Sequence, residues 1–567
     1  MKSRLSIHFF ITLGSILLFV PFLGMNRLFD WDEINFAESA REMLVTGDWS
    51  RVQIAFEPFW EKPPLFIWMQ AICMKIFGVN EFAARLPNAI AGIVSLNVFY
   101  SVGRRHIGHY FGLFVVLAYA GSLAPALYFK SGIIDPVFNL FIFLSIYQLF
   151  VAEKDKVENK VPRINYLWAG LFAGLAVLTK GPVALLIIGL VAIIRIIQHQ
   201  SQAWPGWGNV GIAMFSFMIV VGTWLGVEIY HNGTWFIKEF FAYQGVLFKG
   251  QIEWHNQPWY YHILVLFFLC VPGTVFAFPH LFANQPQMKG ESALLFNYLR
   301  TIFWVVLVLF SLVTTKIIHY SSLCWIPLSF MAAYSMYGVY TNRYQIPKWL
   351  SIPALISIIP LGLVLCAGPV MMNAKFRSQW AYLLDKDEFA KNLLLTGNTW
   401  QGWEGIVPTL LILASVVWIF KLALGFSKQP SILFIYFGVL GVYISLFILP
   451  KAEKQLQDSL IQKIETLSAQ GAIIENRGFK SYAFLFYGAA KPADFRGPWE
   501  QRAKQLEAEG ATLPAYQARK DWLADNAYSK PVYFITKINH DPGDDFKKSF
   551  QKVETAGAYI LWKRTSP

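Results

Sequence analysis

The chain has 567 residues, of which 55% are hydrophobic and only 15% are charged. Soluble globular proteins carry about 25% charged residues, and the apolar residues here occur in long runs such as IHFFITLGSILLFVPFLG (7–24) and SILFIYFGVLGVYISLFIL (431–449). A formal net charge of +13 could indicate a nucleic-acid partner, but the basic residues flank the apolar runs, as the positive-inside rule predicts. These features exclude a soluble protein and predict a polytopic α-helical membrane protein that binds no nucleic acid.

The apolar runs predict about thirteen transmembrane helices, since one span needs roughly 20 mostly apolar residues. Lys2 and Arg4 place the N-terminus in the cytoplasm, and no small-residue cleavage site follows the first run, so we expect a retained helix rather than a signal peptide. Residues 26–81 then form the first external loop. Eleven of the predicted spans are 6–25, 82–102, 110–128, 136–152, 166–179, 182–198, 209–229, 258–279, 349–370, 403–423 and 431–449. The other two lie on either side of an external turn at 314–320.

The composition changes after Pro450, which divides the chain into a membrane domain (1–450) and a C-terminal domain (451–567). The second part begins with an amphipathic helix pattern, KAEKQLQDSLIQKIETLSAQG. Short strand-like runs follow: GAIIENR, SYAFLFYG, PVYFITKIN and GAYILWKR. This alternation predicts a small α/β domain on the outer, extracytoplasmic side of the membrane.

Ionisable residues from several separate loops collect on the outer side of this predicted topology. They are Asp32, Glu33, Glu61, Lys62, Asp135, Lys180, Lys249, His255, Lys316 and His319, with Tyr320 beside them. Because charged groups at membrane depth are costly and usually mark a site, we interpret this face as functional.

Two of the carboxylates also suit a structural role. Asp32 could be the N-cap of a helix that runs from 33 to 46, stops at Gly47 and lies flat on the membrane surface. Asp135 precedes Pro136 and could cap the following span. Position alone does not choose between capping and catalysis.

Lys62 lies in the motif WEKPPLFIWMQ, which predicts a phosphate site. Pro63 holds Lys62 in an extended conformation, and Pro64 suits the start of the next helix. The lysine would then sit at a helix N-terminus, where the dipole and unpaired N–H groups favour anions; the alternative is a lysine that snorkels to lipid headgroups. Lys180 and Lys316 lack this scaffold, and we predict that they snorkel.

The sequence gives little or no support for disulfide, metal-binding or nucleotide-binding motifs. The four cysteines are far apart and predict neither a disulfide framework nor a metal site. The absence of a Walker A motif disfavours a nucleotide-driven pump. His255, in KGQIEWHNQPWYYH, could bind a metal together with Glu61, although a single histidine is more often simply hydrogen-bonded.

Several of these motifs, in this order, resemble those of one family. DEINFAESAREMLVTGDW, FWEKPPLFIWMQAICMKIFGVNEFAARLPNAI, SGIIDPVFNLF, LTKGP and TTKIIHYSSLCWIPLS look like the polyprenyl-phosphate-sugar glycosyltransferases of the GT-C fold. The similarity is greatest to the branch that holds the lipid A 4-amino-4-deoxy-L-arabinose transferase, and the protein O-mannosyltransferases are more distant. It covers roughly the first 330 residues.

The resemblance implies an inverting enzyme that works at the outer face of a bacterial inner membrane. Its donor would be a sugar linked to polyprenyl (undecaprenyl) phosphate, and its acceptor lipid A, another glycan or a protein. Matching motif positions make Asp32 and Asp135 catalytic carboxylates, and we place the neighbouring Glu33 with them. If the acceptor is a hydroxyl, Asp32 is our choice of general base.

The resemblance also implies a donor-phosphate site. Lys62 and Tyr320 match residues near the donor phosphate, and Lys249 aligns loosely with a further basic residue. Glu61 and His255 match positions that can hold a divalent ion (Zn, Mg or Mn), although we expect no cofactor to be required. We expect a monomer that contacts membrane lipids.

Two other functions stay open from the sequence. A secondary transporter or polyprenyl-lipid flippase would carry its ionisable groups near the bilayer midplane, whereas these lie at helix ends. A non-catalytic lipid-binding scaffold would use the C-terminal domain to recruit partners. Transfer of the sugar to protein, as in the O-mannosyltransferases, is the alternative within the same class of enzyme.

Overall fold

The computed structural model describes residues 2–199, 202–234, 236–240, 242, 245, 257–282, 288–397, 399–509, 511 and 513–565. In the first part of the chain, a two-residue hairpin, β1 (Gln53–Ile54) and β2 (Glu57–Pro58), interrupts a series of helices. These helices are α1 (Lys2–Phe19), α2 (Asp32–Thr46), α3 (Leu65–Phe77), α4 (Glu81–His106), α5 (His109–Ala120), α6 (Leu123–Tyr128), α7 (Asp135–Val157), α8 (Arg163–Lys180), α9 (Val183–His199) and α10 (Trp207–Asn232).

The helical series continues to residue 469. It comprises α11 (Tyr261–Leu269), α12 (Gly273–Phe282), α13 (Gly290–Leu312), α14 (Trp325–Tyr340), α15 (Ser351–Met372), α16 (Ala374–Trp380), α17 (Glu388–Leu395), α18 (Ile406–Ala423), α19 (Ser431–Tyr443), α20 (Leu449–Glu453) and α21 (Ser459–Ala469). A 3₁₀ segment, Ile318–Cys324, joins α13 to α14.

Every predicted span overlaps a helix, although α1 ends at Phe19, before the predicted limit of residue 25, and two of the spans are broken. The predicted span 110–128 is divided between α5 and α6 at Gly121, and 258–279 is divided between α11 and α12 near Pro272. Within the described residues, seven helical stretches are long and apolar enough to cross a membrane: Glu81–His106, Asp135–Val157, Trp207–Asn232, Gly290–Leu312, Lys348–Met372, Trp403–Ala423 and Ser431–Ala469. The chain is therefore a multi-pass membrane protein, while the number of thirteen spans stays a prediction.

The C-terminal part contains a small mixed sheet. Its strands are β3 (Ile473–Asn476), β4 (Val532–Lys537), β5 (Phe550–Ala556) and β6 (Tyr559–Arg564), in the order β3-β4-β6-β5. Strands β3 and β4 are parallel, and the other pairs are antiparallel. Helices α22 (Ala483–Phe486), α23 (Glu500–Ala508), α24 (Pro514–Asp525) and α25 (Asp544–Ser549) complete this unit.

The prediction of an α/β unit is confirmed in outline but not in every strand. GAIIENR, PVYFITKIN and GAYILWKR contain β3, β4 and β6. SYAFLFYG contains α22 instead of a strand, and β5 was not predicted. Residues 551–555 on β5 are all exposed, so that strand has no alternating apolar pattern for a sequence search to detect.

The predicted boundary at Pro450 falls inside continuous helix. Helix α19 runs through two π-helical segments, Ile444–Ile448 and Lys454–Asp458, into α21. Proline has no backbone N–H to donate to the helix hydrogen-bond ladder. A π-helical turn is a common local departure from α-helical hydrogen bonding. The membrane part and the sheet unit thus share one helix rather than a flexible linker.

Helix α2 does not lie on the membrane surface as we predicted. It begins at Asp32, and Gly47 ends it in the left-handed conformation (φ 74°), which matches the predicted limits. However, every residue from Glu33 to Met43 is buried. The cause is that α3 packs on one side of α2 and α22 of the C-terminal unit on another, so the polar face that we expected to meet water is covered by protein.

The hairpin tip between β1 and β2 inserts into the C-terminal unit. Ala55 and Phe56 have positive φ values of 55° and 60°, as a tight hairpin turn requires. The Phe56 ring packs at 5.3 Å from that of Phe495. The Glu57 carboxylate accepts hydrogen bonds of 2.7 Å from the backbone N–H groups of Ala515 and Tyr516, at the N-terminus of α24, where a negative charge is favoured.

A second polar contact joins the end of the first span to the same unit. Arg27 donates two hydrogen bonds, of 2.7 and 2.8 Å, to the carboxylate of Glu465 on α21. The Leu28 backbone N–H donates to the Tyr487 hydroxyl at 2.8 Å, and Gln457 donates to the Leu28 carbonyl at 2.6 Å. The loop that leads into α2 is therefore fixed between the membrane helices and the sheet unit.

We predict that Glu57→Ala loosens this docking by about 1.5–3 kcal/mol, the range for hydrogen bonds to a charged group. Limited proteolysis in detergent should then release C-terminal fragments faster than in the wild type. Glu554→Ala is the matched control, because Glu554 is a half-exposed carboxylate (47%) paired with Lys463 within the C-terminal unit. Equal cleavage rates for both variants would contradict the docking role of Glu57.

Candidate active site

A cavity lies at the end of the helices that faces the C-terminal unit, since Glu61 in its lining contacts Lys480 of that unit. Its polar lining consists of Glu61, Lys62, Asp135, Asn139, Lys180, Thr315, His319 and Tyr320. Its apolar lining comes mainly from two helices, with Val183, Leu186 and Ile187 on α9 and Leu309 and Phe310 on α13. The cavity thus joins a charged end to an apolar channel between two helices.

The charged end is built around a buried ion pair. Lys180, the last residue of α8, donates to the Asp135 carboxylate at 2.5 Å, and their side chains are only 18% and 6% exposed. The Lys180 ammonium also lies 5.1 Å from the centre of the Tyr320 ring. One cation, one carboxylate and one phenol are therefore held together at the wall of the cavity.

The LTKGP motif explains why Lys180 points into the cavity. Gly181 has φ 113° and ends α8 directly after the lysine. A Cβ on Gly181 would lie 2.8 Å from the Phe240 ring, so a larger residue would meet both backbone strain and a steric clash. Our prediction that Lys180 snorkels to lipid is wrong, because it neglected the turn that Gly181 and Pro182 impose.

Lys316 is also buried (5% exposed), contrary to the prediction of snorkelling. Its ammonium donates to the carbonyls of Gln257 at 3.0 Å and Val313 at 2.5 Å. It closes the end of α13 and is not part of the cavity lining.

Asp32 stands at the first position of α2 and is half-buried. Trp31 is the N-cap residue, and no side chain makes a capping hydrogen bond there, so the alternative of Asp32 as an N-cap is not supported. Its charge acts electrostatically on both Lys180 and Tyr320. Asp32 is therefore close enough to the Asp135–Lys180 pair to interact with it electrostatically.

Asp135 likewise makes no capping bond. It is the first residue of α7, with Ile134 as the N-cap, and its carboxylate is directed to Lys180. Burial raises the pKa of Tyr320; Lys180 opposes this effect, and the charges of Asp135 and Asp32 add to it. The Tyr320 hydroxyl consequently keeps its proton at neutral pH and can donate a hydrogen bond.

Of the three predicted catalytic carboxylates, only Asp135 lines the cavity, and Glu33, like Asp32, lies outside its lining. The Glu33 carboxylate accepts hydrogen bonds from Arg85 at 2.7 and 3.1 Å, from the backbone N–H of Phe29 at 2.8 Å and from that of Gly132. Burial favours protonation, but Arg85 and the two amides hold the pKa of Glu33 below its usual range. Our prediction of a catalytic Glu33 thus becomes a proposal that it positions the loops.

Arg85 completes this arrangement. Beyond Glu33, its remaining N–H groups donate to the carbonyls of Leu23, Asn26 and Arg27 at 2.8–2.9 Å, so all five guanidinium N–H donors have an acceptor. Sequence reasoning quoted Arg85 inside a motif but gave it no role. Arg85 lies about one turn into α4, directly after the predicted first external loop, which is rich in carboxylates. That position could have indicated an arginine that pairs with one of those carboxylates.

Lys62 and Glu61 both line the cavity, and their predicted roles in binding the donor phosphate and a metal ion stay predictions. Pro64 is the N-cap of α3, so Lys62 lies two residues before the N-cap of the helix that was expected to follow it. The Glu61 carboxylate is 3.7 Å from the ammonium of Lys480 in the C-terminal unit.

Two predicted residues, Lys249 and His255, lie outside the described residues. Among those that the structure describes, no group of three histidine, cysteine, aspartate or glutamate side chains could hold a metal ion. The Glu61 and Asp135 carboxylates in the lining each face a lysine, so the described residues do not fit a metal site and we derive no chemical step through one.

Comparison with known proteins supports the sequence resemblance. Residues 61–225 match the family model described as dolichyl-phosphate-mannose-protein mannosyltransferase. The chain is 27% identical over 320 residues to undecaprenyl phosphate-alpha-4-amino-4-deoxy-L-arabinose arabinosyl transferase 1 of Proteus mirabilis, which covers 56% of each chain. It is 26% identical over 358 residues to transferase 2 of Pseudomonas fluorescens, covering 62% of this chain and 63% of that one. These matches span less than two thirds of either relative.

Solved structures match over nearly the whole chain. ArnT from Cupriavidus metallidurans bound to undecaprenyl phosphate superposes with a TM-score of 0.72 and 16% identity, over 98% of both chains. The apo form of the same protein gives 0.70. This chain has the GT-C fold. The predicted fold class is confirmed, and so is the resemblance to the polyprenyl-phosphate-sugar glycosyltransferases.

The Asp135–Lys180 ion pair joins the ends of two helices, α7 and α8, and is largely buried. We predict that Asp135→Ala lowers the free energy of unfolding in detergent by about 3–5 kcal/mol, because it leaves a buried ammonium uncompensated. The double variant Asp135→Asn with Lys180→Met should recover most of that loss.

The control for this prediction is Asp385→Ala. It removes an exposed pair with Lys391, whose side chains are 59% and 37% exposed, and such pairs contribute about 0–1 kcal/mol. Thermal unfolding followed by tryptophan fluorescence would measure all three variants. A midpoint for Asp135→Ala equal to that of Asp385→Ala would refute the role of the buried pair.

Proposed function

We propose that this protein is an integral-membrane, inverting glycosyltransferase that moves a monosaccharide from polyprenyl (undecaprenyl) phosphate to lipid A or another envelope acceptor. The observation that carries the proposal is the cavity itself. Lysines and carboxylates at one end meet an apolar channel between α9 and α13, and this combination suits a lipid whose phosphate and hydrocarbon chain must be bound together. The names of the curated relatives and the undecaprenyl phosphate bound to the Cupriavidus protein support the same donor.

The proposed reaction builds up negative charge on the departing polyprenyl phosphate, and the cations of the cavity would stabilise that charge. An acceptor oxygen attacks the anomeric carbon, the C1–O bond breaks, and its electron pair leaves with the polyprenyl phosphate. Lys62 at the N-terminus of α3 would stabilise the departing dianion by charge placed in advance, and Lys180 and the Tyr320 hydroxyl would donate hydrogen bonds to it. Lys249, as predicted from the resemblance, would add a third positive charge.

Asp32 and Asp135 then have separate tasks. For a hydroxyl acceptor, Asp32 takes the proton as general base, since it is the carboxylate of the two that is not committed to a short ion pair. Asp135 keeps Lys180 charged and oriented and balances positive charge that develops on the sugar ring. If the acceptor is itself a phosphate, it needs no base, and both aspartates orient the sugar.

The placement in the cell is part of the proposal. We infer the bacterial inner membrane, with the N-terminus in the cytoplasm and the cavity and C-terminal unit on the periplasmic side. We also propose that the chain works as a monomer. A divalent ion at Glu61 and His255 stays a prediction.

Transfer to protein is the second candidate, because the matching family model is named for a protein mannosyltransferase. A transporter is less well supported, since Asp135 and Lys180 lie at helix ends rather than in discontinuous helices at mid-membrane. Mass spectrometry of envelope lipids and glycoproteins from cells with and without the gene separates the acceptors: a lost sugar on lipid A favours the first candidate, and a lost sugar on protein favours the second.

We predict that Asp32→Asn and Lys62→Ala fold normally but lower sugar transfer from a polyprenyl-phosphate donor by at least about 100-fold, in line with the loss of a general base or a charge-stabilising group. The measurement is the initial rate of transfer in membranes that contain equal amounts of each variant.

Two substitutions in the same segment serve as controls. Asp48→Asn changes a carboxylate after the other end of α2, which accepts hydrogen bonds from the backbone N–H groups of Ser50 and Arg51 in its own turn. Lys75→Ala changes a lysine near the other end of α3 that, unlike Lys62, does not line the cavity. Both should keep rates close to the wild type. Near-normal transfer by Asp32→Asn and Lys62→Ala would remove the proposed mechanism.

A further inference from the structure

An aromatic and cationic patch lies at the rim of the cavity, where the C-terminal unit meets the first loop. The Lys480 ammonium is 5.1 Å from the centre of the Trp31 ring and 5.6 Å from that of Tyr482. It is also 3.7 Å from the carboxylate of Glu61, which lines the cavity. We call Trp31, Lys480 and Tyr482 the rim patch.

The rim patch is open to a ligand. Trp31 is 43% exposed and the Lys480 side chain 48%, whereas Tyr482 is buried (1%) and forms the floor. The contact between Lys480 and Glu61 is long and partly solvated, so it contributes little to stability. Most of the hydrogen-bonding capacity of the ammonium therefore remains available to an anion.

The position of the rim patch suits binding of the acceptor rather than of the donor. Trp31 immediately precedes Asp32, the proposed base, and Glu61 immediately precedes Lys62, the proposed donor-phosphate lysine. A molecule that rests on Trp31 and Lys480 would hold its nucleophile beside Asp32 while the rest of it stays outside the cavity. The donor phosphate has its own cations, Lys62 and Lys180, inside the cavity.

We propose that Trp31 and Lys480 bind the acceptor, and that the acceptor presents a phosphate-bearing saccharide head group to them. The Trp31 ring offers a flat apolar surface for one face of a sugar, and Lys480 supplies a point charge for a phosphate. One ring and one cation match a compact charged head group better than an extended peptide, which would need a longer groove with backbone partners. This inference rests on the proposed glycosyltransferase function.

The test measures binding as well as transfer. Purified full-length protein in detergent is titrated with bisphosphorylated lipid A, with its dephosphorylated form and with the water-soluble deacylated head group, and separately with undecaprenyl phosphate. Lys480→Gln is compared with Lys530→Gln, because Lys530 is another exposed lysine (51%) of the C-terminal unit with one long ion pair, 3.4 Å from Asp494. Trp31→Ala is the second variant.

We expect Lys480→Gln to weaken binding of bisphosphorylated lipid A and of its head group by roughly tenfold, as loss of one charge-assisted hydrogen bond implies. Binding of dephosphorylated lipid A and of undecaprenyl phosphate should not change. In transfer assays the KM for the acceptor rises and kcat changes little, while Lys530→Gln behaves as the wild type. Trp31→Ala should weaken binding of phosphorylated and dephosphorylated forms alike.

A Lys480→Gln protein that still prefers the phosphorylated form would overturn the assignment, as would equal losses for Lys480→Gln and Lys530→Gln. Binding of serine- or threonine-containing peptides in place of lipid A would overturn it as well. Failure of the proposed function has a different signature: the wild type would bind undecaprenyl phosphate or lipid A, yet it would transfer no sugar to lipid A from a sugar-linked undecaprenyl phosphate donor.

Discussion

The buried ion pair between Glu33 and Arg85 is the interaction on which the rest of the site depends. Arg85 on α4 holds the chain from Leu23 to Arg27 by its carbonyls, while Glu33 on α2 holds the amides of Phe29 and Gly132. The segment before α2 and the segment before Asp135 are thereby fixed to one point. Both charges are desolvated, and a pair of this kind persists only when every remaining donor and acceptor is satisfied. Asp32 and Asp135 each follow one of these anchored segments. The Glu33–Arg85 pair therefore fixes the position of the two aspartates relative to each other.

The C-terminal unit extends this constraint to the rim of the cavity. Glu57 caps α24, Arg27 pairs with Glu465, and Lys480 reaches Glu61, so the unit contacts the loop on both sides of α2. Helix α2 is buried because it lies between two bodies that share the helix from Ser431 to Ala469. A loop held on both sides in this way has little freedom to reorganise, which is the condition under which the proposed catalytic charges would be most effective.

Much of this architecture could be predicted from the sequence, and the failures have physical causes. Apolar runs located the helices, since length and hydropathy decide membrane insertion. The limits of α2 followed from Asp32 and Gly47, but its burial did not, because nothing local reveals that a domain more than 400 residues later covers it. Lys180 was misjudged because its partner Asp135 is distant in sequence, and Lys480 was not considered because a lone lysine in an α/β unit carries no signal of its neighbours.

A cryo-EM structure of the protein with undecaprenyl phosphate tests the central claim most directly, since that claim is a location. The account predicts phosphate density within hydrogen-bonding distance of Lys62 and of Lys180 or Tyr320, with the first isoprene units between α9 and α13. Phosphate bound at the opposite end of the helices, near the C-terminal ends of α4 and α7, or outside the cavity altogether, would contradict the proposed chemistry.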